Sequence, residues 1–194
     1  MGFAYIFDFD GVLVNTMEAH YRCYKKALEE YGVPIDKKQF YSQAGMTGRE
    51  QIAYFCRRAG KDLDVDAIYK RKTEIAKTLN NHVSPIVNNI QLLKLLKREG
   101  IPVAIATGSS RPSILPIMEQ FHIEVDVIVT SEDVKRGKPQ PDLFLCAADK
   151  LKVAPQNCIV IEDSDVGIEA ARAAGMKSLR FYEYRKDIKP QDSR

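Results

Sequence analysis

Short apolar runs alternate along this chain with longer stretches of helical period. Residues 3–9, FAYIFDF, are an apolar and aromatic run stopped by acids and Gly11, the pattern of a buried strand. IPVAIA (101–106), VDVIVT (125–130) and CIVIE (158–162) have the same character, and MKSLRFY (176–182) predicts a fifth strand. Between them, residues 86–99 carry Ile86, Ile90, Leu93 and Leu96 at helical spacing, and Gly100 is a good C-terminal stop. Residues 111–121, 141–152 and 165–174 predict further helices, the last ended by Gly175. Strands that alternate with helices need crossovers over both sheet faces, which gives a doubly wound, mainly parallel α/β fold.

One interval breaks this rhythm. Between Asp10 and Ile101 no strand is evident, although a crossover needs little more than one helix. The excess reads as helices at 17–31, 48–59 and 64–80. The first puts Tyr21, Tyr24, Leu28 and Tyr31 on one face and stops at Gly32 and Pro34. The organisation expected is a Rossmann-like core from residues 1–14 and 83–194, with a small helical cap domain, residues 15–82, inserted after the first strand. Its hinges are expected near Val14–Thr16 and Asn81–Pro85, and the polar tail after Glu183 is expected to fray.

Composition narrows the class. The chain has 194 residues, 45% hydrophobic and 28% charged, which is enough apolar material for a core and excludes a disordered chain. No apolar run reaches the ~18–20 residues of a membrane-spanning helix. The first apolar stretch contains Asp8 and Asp10, unlike a secretory signal, and Ile6 breaks the myristoylation pattern. Four scattered cysteines suit a reducing cytoplasm rather than a disulfide scaffold or zinc cluster. The net charge of +3 does not point to nucleic acid. Residues 15–82 carry +4 and the remainder −1, which suits either an anionic small molecule or solvated helix faces. A monomer without membrane or nucleic-acid partners is expected.

In an open parallel sheet, ligands bind at the carboxyl ends of the strands. Those ends read Asp8-Phe9-Asp10-Gly11, Thr107-Gly108-Ser109-Ser110, Gly137-Lys138-Pro139 and Glu162-Asp163-Ser164-Asp165. Singly, each is an ordinary turn. Together they supply what phosphoryl transfer needs: an oxygen nucleophile, a cation site and donors around the transferred group. Asp8 can attack phosphorus, and Asp10 can protonate the leaving alcohol and then deprotonate water. Thr107, with the backbone at Gly108 and Ser109, can hold phosphoryl oxygens, and Lys138 can neutralise charge on nucleophile and phosphate. Glu162 and Asp163 can complete a site for a hard cation such as Mg²⁺.

DFDGVLVNT (8–16), ATGSS (106–110), GKPQPD (137–142) and VIEDSDVGIEAARAAG (160–175) resemble the four motifs of the haloacid dehalogenase-like hydrolase superfamily, in order and over nearly the whole chain. The insert resembles that superfamily's helical C1-type cap, and the chain is most similar to its phosphatase and β-phosphoglucomutase group. The resemblance implies Asp8 as nucleophile and metal ligand, and Asp10 as acid/base with its backbone carbonyl on Mg²⁺. It also implies Thr107 and Lys138 as phosphate-binding groups and Glu162 and Asp163 as metal acids. Asp165 is either behind that site or on the surface. The presence of Asp10 and Asp163 argues against the dehalogenase branch, and Asp10 against the phosphonatase branch.

The resemblance further implies that cap residues select the substrate. His20 matches a histidine of the β-phosphoglucomutase-like proteins, and Arg49 follows a loop (Gly45, Thr47, Gly48) similar to their cap specificity loop. Each also reads as an ordinary helix-surface residue. Where the mutases have a lysine before the cap-loop glycine, this chain has Gln43-Ala44, and where they have Ser-Lys after the second motif it has Ser110-Arg111. Arg111 can replace that cation. These departures favour a Mg²⁺-dependent phosphatase of a small phosphorylated metabolite, a sugar phosphate among the candidates. A hexose-phosphate mutase is the alternative, and a non-catalytic binding module comes third.

Overall fold

A computed structural model describes residues 2–43, 46–78 and 83–181. Five parallel strands form the central sheet in the order β5-β4-β1-β6-β7. They are β1 (Ala4–Phe7), β4 (Val103–Ala106), β5 (Val127–Val129), β6 (Cys158–Glu162) and β7 (Lys177–Arg180). The helices between them are α5 (Val87–Arg98), α6 (Arg111–Gln120), α7 (Asp142–Leu151) and α8 (Asp165–Ala173).

The two-residue period of a strand sorts the core into two layers. Ala4 and Ile6 of β1 pack with Ala104 and Ala106 of β4 against Leu143, Phe144 and Ala147 of α7 and Ala170 and Ala171 of α8. Phe7 and Ile105 face the other way, onto Ile90, Leu93 and Leu96 of α5 and Ile114 and Met118 of α6. With helices on both faces, β4 is buried along its whole length, which is why VAIA carries no polar alternation. The sheet is the parallel, doubly wound α/β sheet that the alternating pattern predicts, and each expected core element is present with ends trimmed by a few residues.

Between β1 and β4 lie α1 (Met17–Glu29), α2 (Lys37–Ser42), α3 (Gly48–Arg58) and α4 (Val65–Thr78). They share an apolar cluster of their own, with Tyr24, Leu28, Phe40, Ile52, Phe55 and Ile68 buried in it. The tyrosine face of α1 packs here, Tyr24 and Tyr21 lying 5.1 and 5.7 Å from the Phe40 ring. Helix α2 has too few residues to show a period. It is set by Asp36, whose carboxylate accepts from the Gln39 N–H, and by Phe40, its one buried side chain.

Two very short strands, β2 (Val14–Asn15) and β3 (Ser84–Pro85), pair antiparallel where the chain leaves and re-enters the core. Neither is visible as a run, because two residues carry no alternation. Asn81 and His82 of the expected hinge, Gly45 of the cap loop and the tail beyond Phe181 lie outside the described residues. Among the described residues, no helix is long and apolar enough to cross a membrane.

Candidate active site

The parallel sheet brings its carboxyl ends to one rim. Asp8 follows β1 directly, its N–H bonded to the Ile161 carbonyl of β6, and Thr107 follows β4 with its N–H on the Val129 carbonyl. Register therefore places nucleophile candidate, hydroxyl and acidic motif side by side. Gly11 turns the chain away with a φ of +85°, and a side chain there would collide with the Asp163 carboxylate.

Lys138 reaches the floor of the rim almost fully buried, its Nζ 2.9 Å from Asp8 Oδ1 and 2.7 Å from Glu162 Oε2. Burial alone would lower its pKa, but the charges of Asp8 and Glu162 outweigh that and hold it raised. Glu162 is itself fully buried, and its other oxygen accepts from the N–H and hydroxyl of Ser164. Gly167 makes this possible, since a Cβ there would sit inside the Glu162 carboxyl group. Carboxylate oxygens of Asp8, Glu162 and Asp163 lie within 4.8 Å of one another.

Burial, then the charge of Glu162, pushes the Asp8 carboxyl well above its ordinary range, against the pull of Lys138. The same two causes raise Asp163 to about 7. Asp8 Oδ1 is buried and accepts no hydrogen bond; its contact with Lys138 is an ion pair without hydrogen-bond geometry. Crowded carboxylates with a buried, unsatisfied oxygen are a donor set suited to a hard divalent cation. Because Glu162 spends its oxygens on Lys138 and Ser164, the oxygens best placed for such an ion are those of Asp8 and Asp163.

Asp10 faces the cleft from the opposite side. Its Oδ1 accepts from the Thr16 hydroxyl and lies 3.1 Å from His20 Nε2. Its Oδ2 accepts from Ser109 Oγ at 2.6 Å and Thr107 Oγ1 at 3.3 Å. Burial would raise the Asp10 pKa, but the charge and hydrogen bond of His20, with those from Ser109 and Thr16, hold it well below the usual carboxylate range. The two aspartates, two residues apart in the chain, thus have pKa values driven in opposite directions.

The cleft between the rim and α1, α3 and α4 holds Asp8, Asp10, His20, Thr107, Gly108 and Ser109 of the expected set. Lys138, Glu162 and Asp163 gather against Asp8 at its floor, whereas Arg49, Arg111 and Asp165 lie elsewhere. Arg49 stacks 4.4 Å from the Tyr69 ring and donates to Asp66 at 2.6 Å on the exposed side of α3. Arg111 donates to Asp133 Oδ2 and the Ile128 carbonyl, away from the cleft wall. Both guanidiniums are claimed by nearby acceptors, a competition that local sequence does not display. Asp165 is on the surface, paired with Arg180.

Two wall residues belong to none of the sequence motifs. Lys72 of α4 is buried and enters the cleft, its Nζ 4.9 Å from the Tyr24 ring and 5.9 Å from that of Tyr69. It makes no hydrogen bond or ion pair among the described residues, and burial lowers its pKa. In the run Lys70-Arg71-Lys72 it reads as one more solvated cation. The available signal is helical phase, since Lys72 falls on the stripe of Ile68 and Ile75, the buried face of α4. Gln51 likewise shares the buried face of α3 with Ile52 and Phe55.

A parallel α/β sheet whose rim gathers a buried aspartate, a lysine and two further acids, beneath a helical insert, carries the groups that phosphoryl transfer needs. Comparison with known proteins gives the family: the haloacid dehalogenase-like hydrolase pattern matches residues 5–181, and the chain belongs to that family. The fructose-1-phosphate phosphatase YqaB of Escherichia coli is 30% identical over 178 residues, 90% of this chain and 93% of that protein. The β-phosphoglucomutase of Bacillus subtilis is 32% identical, covering 89% of this chain and 80% of its own. Among solved structures, CbbY from Rhodobacter sphaeroides in complex with phosphate superposes with a TM-score of 0.81 at 28% identity, over 100% of this chain and 92% of that one.

Proposed function

We propose that the chain is a Mg²⁺-dependent phosphatase that hydrolyses a small phosphorylated metabolite, a sugar phosphate foremost, through an aspartyl-phosphate on Asp8. The observation that carries this is the pair of aspartates facing one cleft: Asp8 crowded by acids on Lys138, and Asp10 held by hydroxyls and His20. Two titratable groups pushed apart in pKa by their surroundings take different roles in one reaction. The phosphatases among the relatives, including the phosphorylated-carbohydrate phosphatase of Thermotoga maritima, support the substrate class.

In the first half-reaction an Asp8 oxygen attacks phosphorus and the bond to the ester oxygen breaks. The departing alkoxide takes a proton from Asp10. Asp10 stands as a carboxylate in the free site, so it takes up a proton from solvent before the alkoxide departs. In the second half, water attacks phosphorus, the Asp8–phosphorus bond breaks, and Asp10 takes the water proton. Thr107, with the Gly108 and Ser109 backbone, holds the phosphoryl oxygens, and Lys138 favours the charged form of Asp8 against its burial and the nearby acids. Asp8 and Asp163, with Glu162 behind them and the Asp10 carbonyl, would hold the cation. When bound, Mg²⁺ neutralises the crowded carboxylates and the phosphate charge.

At the cap end of the cleft, Lys72 is the cation best placed to meet the remainder of the substrate. The surrounding Met17, Tyr24, Phe40 and Tyr69 offer apolar faces on which a carbohydrate can pack. Helices α1–α4 act as the cap that closes over this end.

The β-phosphoglucomutase relative favours a second reading, an intramolecular transfer between two positions of a hexose phosphate. A mutase must grip a phosphate at both ends of the cleft; Arg49 and Arg111 are paired with Asp66 and Asp133, which leaves Lys72 as the cation at the cap end for either reading. The deciding experiment is a panel of phosphate esters assayed with and without Mg²⁺, with free phosphate and isomerised ester both measured. Metal-dependent free phosphate is expected; isomerisation outpacing release selects the mutase, and no turnover of any ester overturns both.

A further inference from the structure

The start of α3 does more than line the cleft. Thr47 and Glu50 form a capping box: Glu50 Oε2 accepts from the Thr47 N–H at 2.9 Å and the Thr47 hydroxyl at 2.6 Å, and Thr47 Oγ1 accepts from the Glu50 N–H at 3.4 Å. Such a glutamate ordinarily serves its own helix alone. Here both of its oxygens also accept from the N–H of Gly137, at 3.1 and 3.2 Å. Gly137 belongs to the core, 87 residues further along, and immediately precedes Lys138.

The fit at this joint is tight. A Cβ on Gly137 would lie 2.5 Å from Glu50 Oε2 and 2.7 Å from both Thr47 Cγ2 and the Thr47 nitrogen. Glycine is therefore required by the approach of the α3 cap, since its own φ is ordinary. On the far side the loop is closed by the Gln140 N–H on the Gly137 carbonyl, so the joint bears on a short, fixed loop. Gly48 and Gln51, on either side of Glu50, face the cleft.

We infer that Glu50 is a positioning residue that ties cap closure to the placement of Lys138. The helix start aims the carboxylate, and docking it on Gly137 fixes the backbone that carries the lysine. A substrate pressed against Gly48 and Gln51 seats the same turn of α3. The catalytic importance of this joint rests on the phosphatase reading, but the joint itself is tested independently of activity.

The test uses the full chain labelled with ¹⁵N-glycine, the Gly137 resonance being assigned by its loss in Gly137→Ala. In Glu50→Ala, amide exchange at Gly137 is expected to accelerate about tenfold or more, the scale of one charge-assisted hydrogen bond. Exchange at Gly167, bonded to Ser164 Oγ in the core, stays unchanged. Glu50→Gln, which retains an acceptor oxygen, falls between. Unchanged exchange at Gly137 in Glu50→Ala overturns the joint.

The consequence for turnover is read with p-nitrophenyl phosphate and Mg²⁺. Glu50→Ala and Gly137→Ala are each expected to lower kcat about tenfold, and the double variant to fall no further than the worse single one. Gly137→Ala presses its new methyl on Thr47 and Glu50, so α3 helicity is followed by circular dichroism, and a loss of turnover with helicity unchanged comes from the joint rather than from a frayed α3. Multiplicative losses overturn the coupling to Lys138. A wild-type protein that releases no phosphate from any ester refutes the phosphatase reading while leaving the exchange result standing.

Discussion

The two walls of the cleft are built on opposite plans. On the core rim most polar groups are tied to neighbours: Asp10 by Thr16, His20, Thr107 and Ser109, Lys138 by Asp8 and Glu162, Glu162 by Lys138 and Ser164. On the cap wall Lys72 rests on two tyrosine rings without a hydrogen bond or ion pair among the described residues. The rim is preorganised, which is what electrostatic stabilisation of a transition state requires. The cap wall leaves one cation free to be satisfied by what enters. In the proposed reaction the chemistry rests on that network, and selection rests on Lys72.

The contrast can be broken most directly at the nucleophile. Asp8→Asn is expected to lower phosphate release by at least about 10³-fold, since no other rim oxygen can replace it. Its fold should persist, because an amide in that place relieves repulsion among the acids. Near-normal turnover in this variant, in a protein whose circular dichroism is unchanged, would remove the mechanism.

Lys138→Met should cost both activity and stability. It leaves Asp8 and Glu162 buried without their counter-charge, a loss of about 3–5 kcal/mol when one partner of a buried ion pair is removed. Urea melts of the metal-free protein measure it, and added Mg²⁺ should recover part of the loss. A variant as stable as the wild type would show that the rim is not the tightly coupled network described here.

Proton linkage sharpens the same point. The Asp163 carboxyl is raised to about 7 by burial and by Glu162. In the metal-free protein it holds a proton that the unfolded chain has lost. Its contribution to stability is therefore greatest in acid and declines as pH rises from the ordinary carboxylate range through about 7. Mg²⁺ must displace that proton and any held by Asp8, whose pKa is raised as well, so its affinity should fall at least about tenfold per pH unit below about 7, with one or more protons released on binding. Calorimetry in two buffers of different ionisation enthalpy reads both quantities. A pH-independent affinity between pH 5 and 7 would mean that the acids are not crowded as the structure has them.

The smallest effect is expected on the cap wall. Lys72→Met should raise KM for the ester about fivefold with kcat nearly unchanged, the mark of a group that binds ground and transition state alike. Its stability should equal or exceed that of the wild type by about 1 kcal/mol, because an unpaired ammonium is removed from a buried face. A large loss of stability would show that Lys72 belongs to a network after all.

How much of this was legible differs between the walls for one reason. Most rim residues stand at strand ends, so Asp8, Asp10, Thr107, Glu162 and Asp163 follow from finding the strands and asking what comes next, while Lys138 lies in the loop between β5 and α7 and follows from its motif. The cap residues stand within helices, where function depends on rotation about the axis. Lys72 was hidden in a charge run although its phase with Ile68 and Ile75 pointed inward. Arg49 and Arg111 looked available until Asp66 and Asp133 were found beside them.

Sequence alone determined the alternation of strands and helices, the helical insert and which residues follow the strands, because each depends on periods and neighbours a few residues apart. Tertiary structure decided which cations are free and which are claimed, that Glu50 reaches Gly137, and that β2 and β3 pair at the hinge. Those outcomes depend on groups tens of residues apart competing for the same few ångströms, and no local pattern encodes the winner.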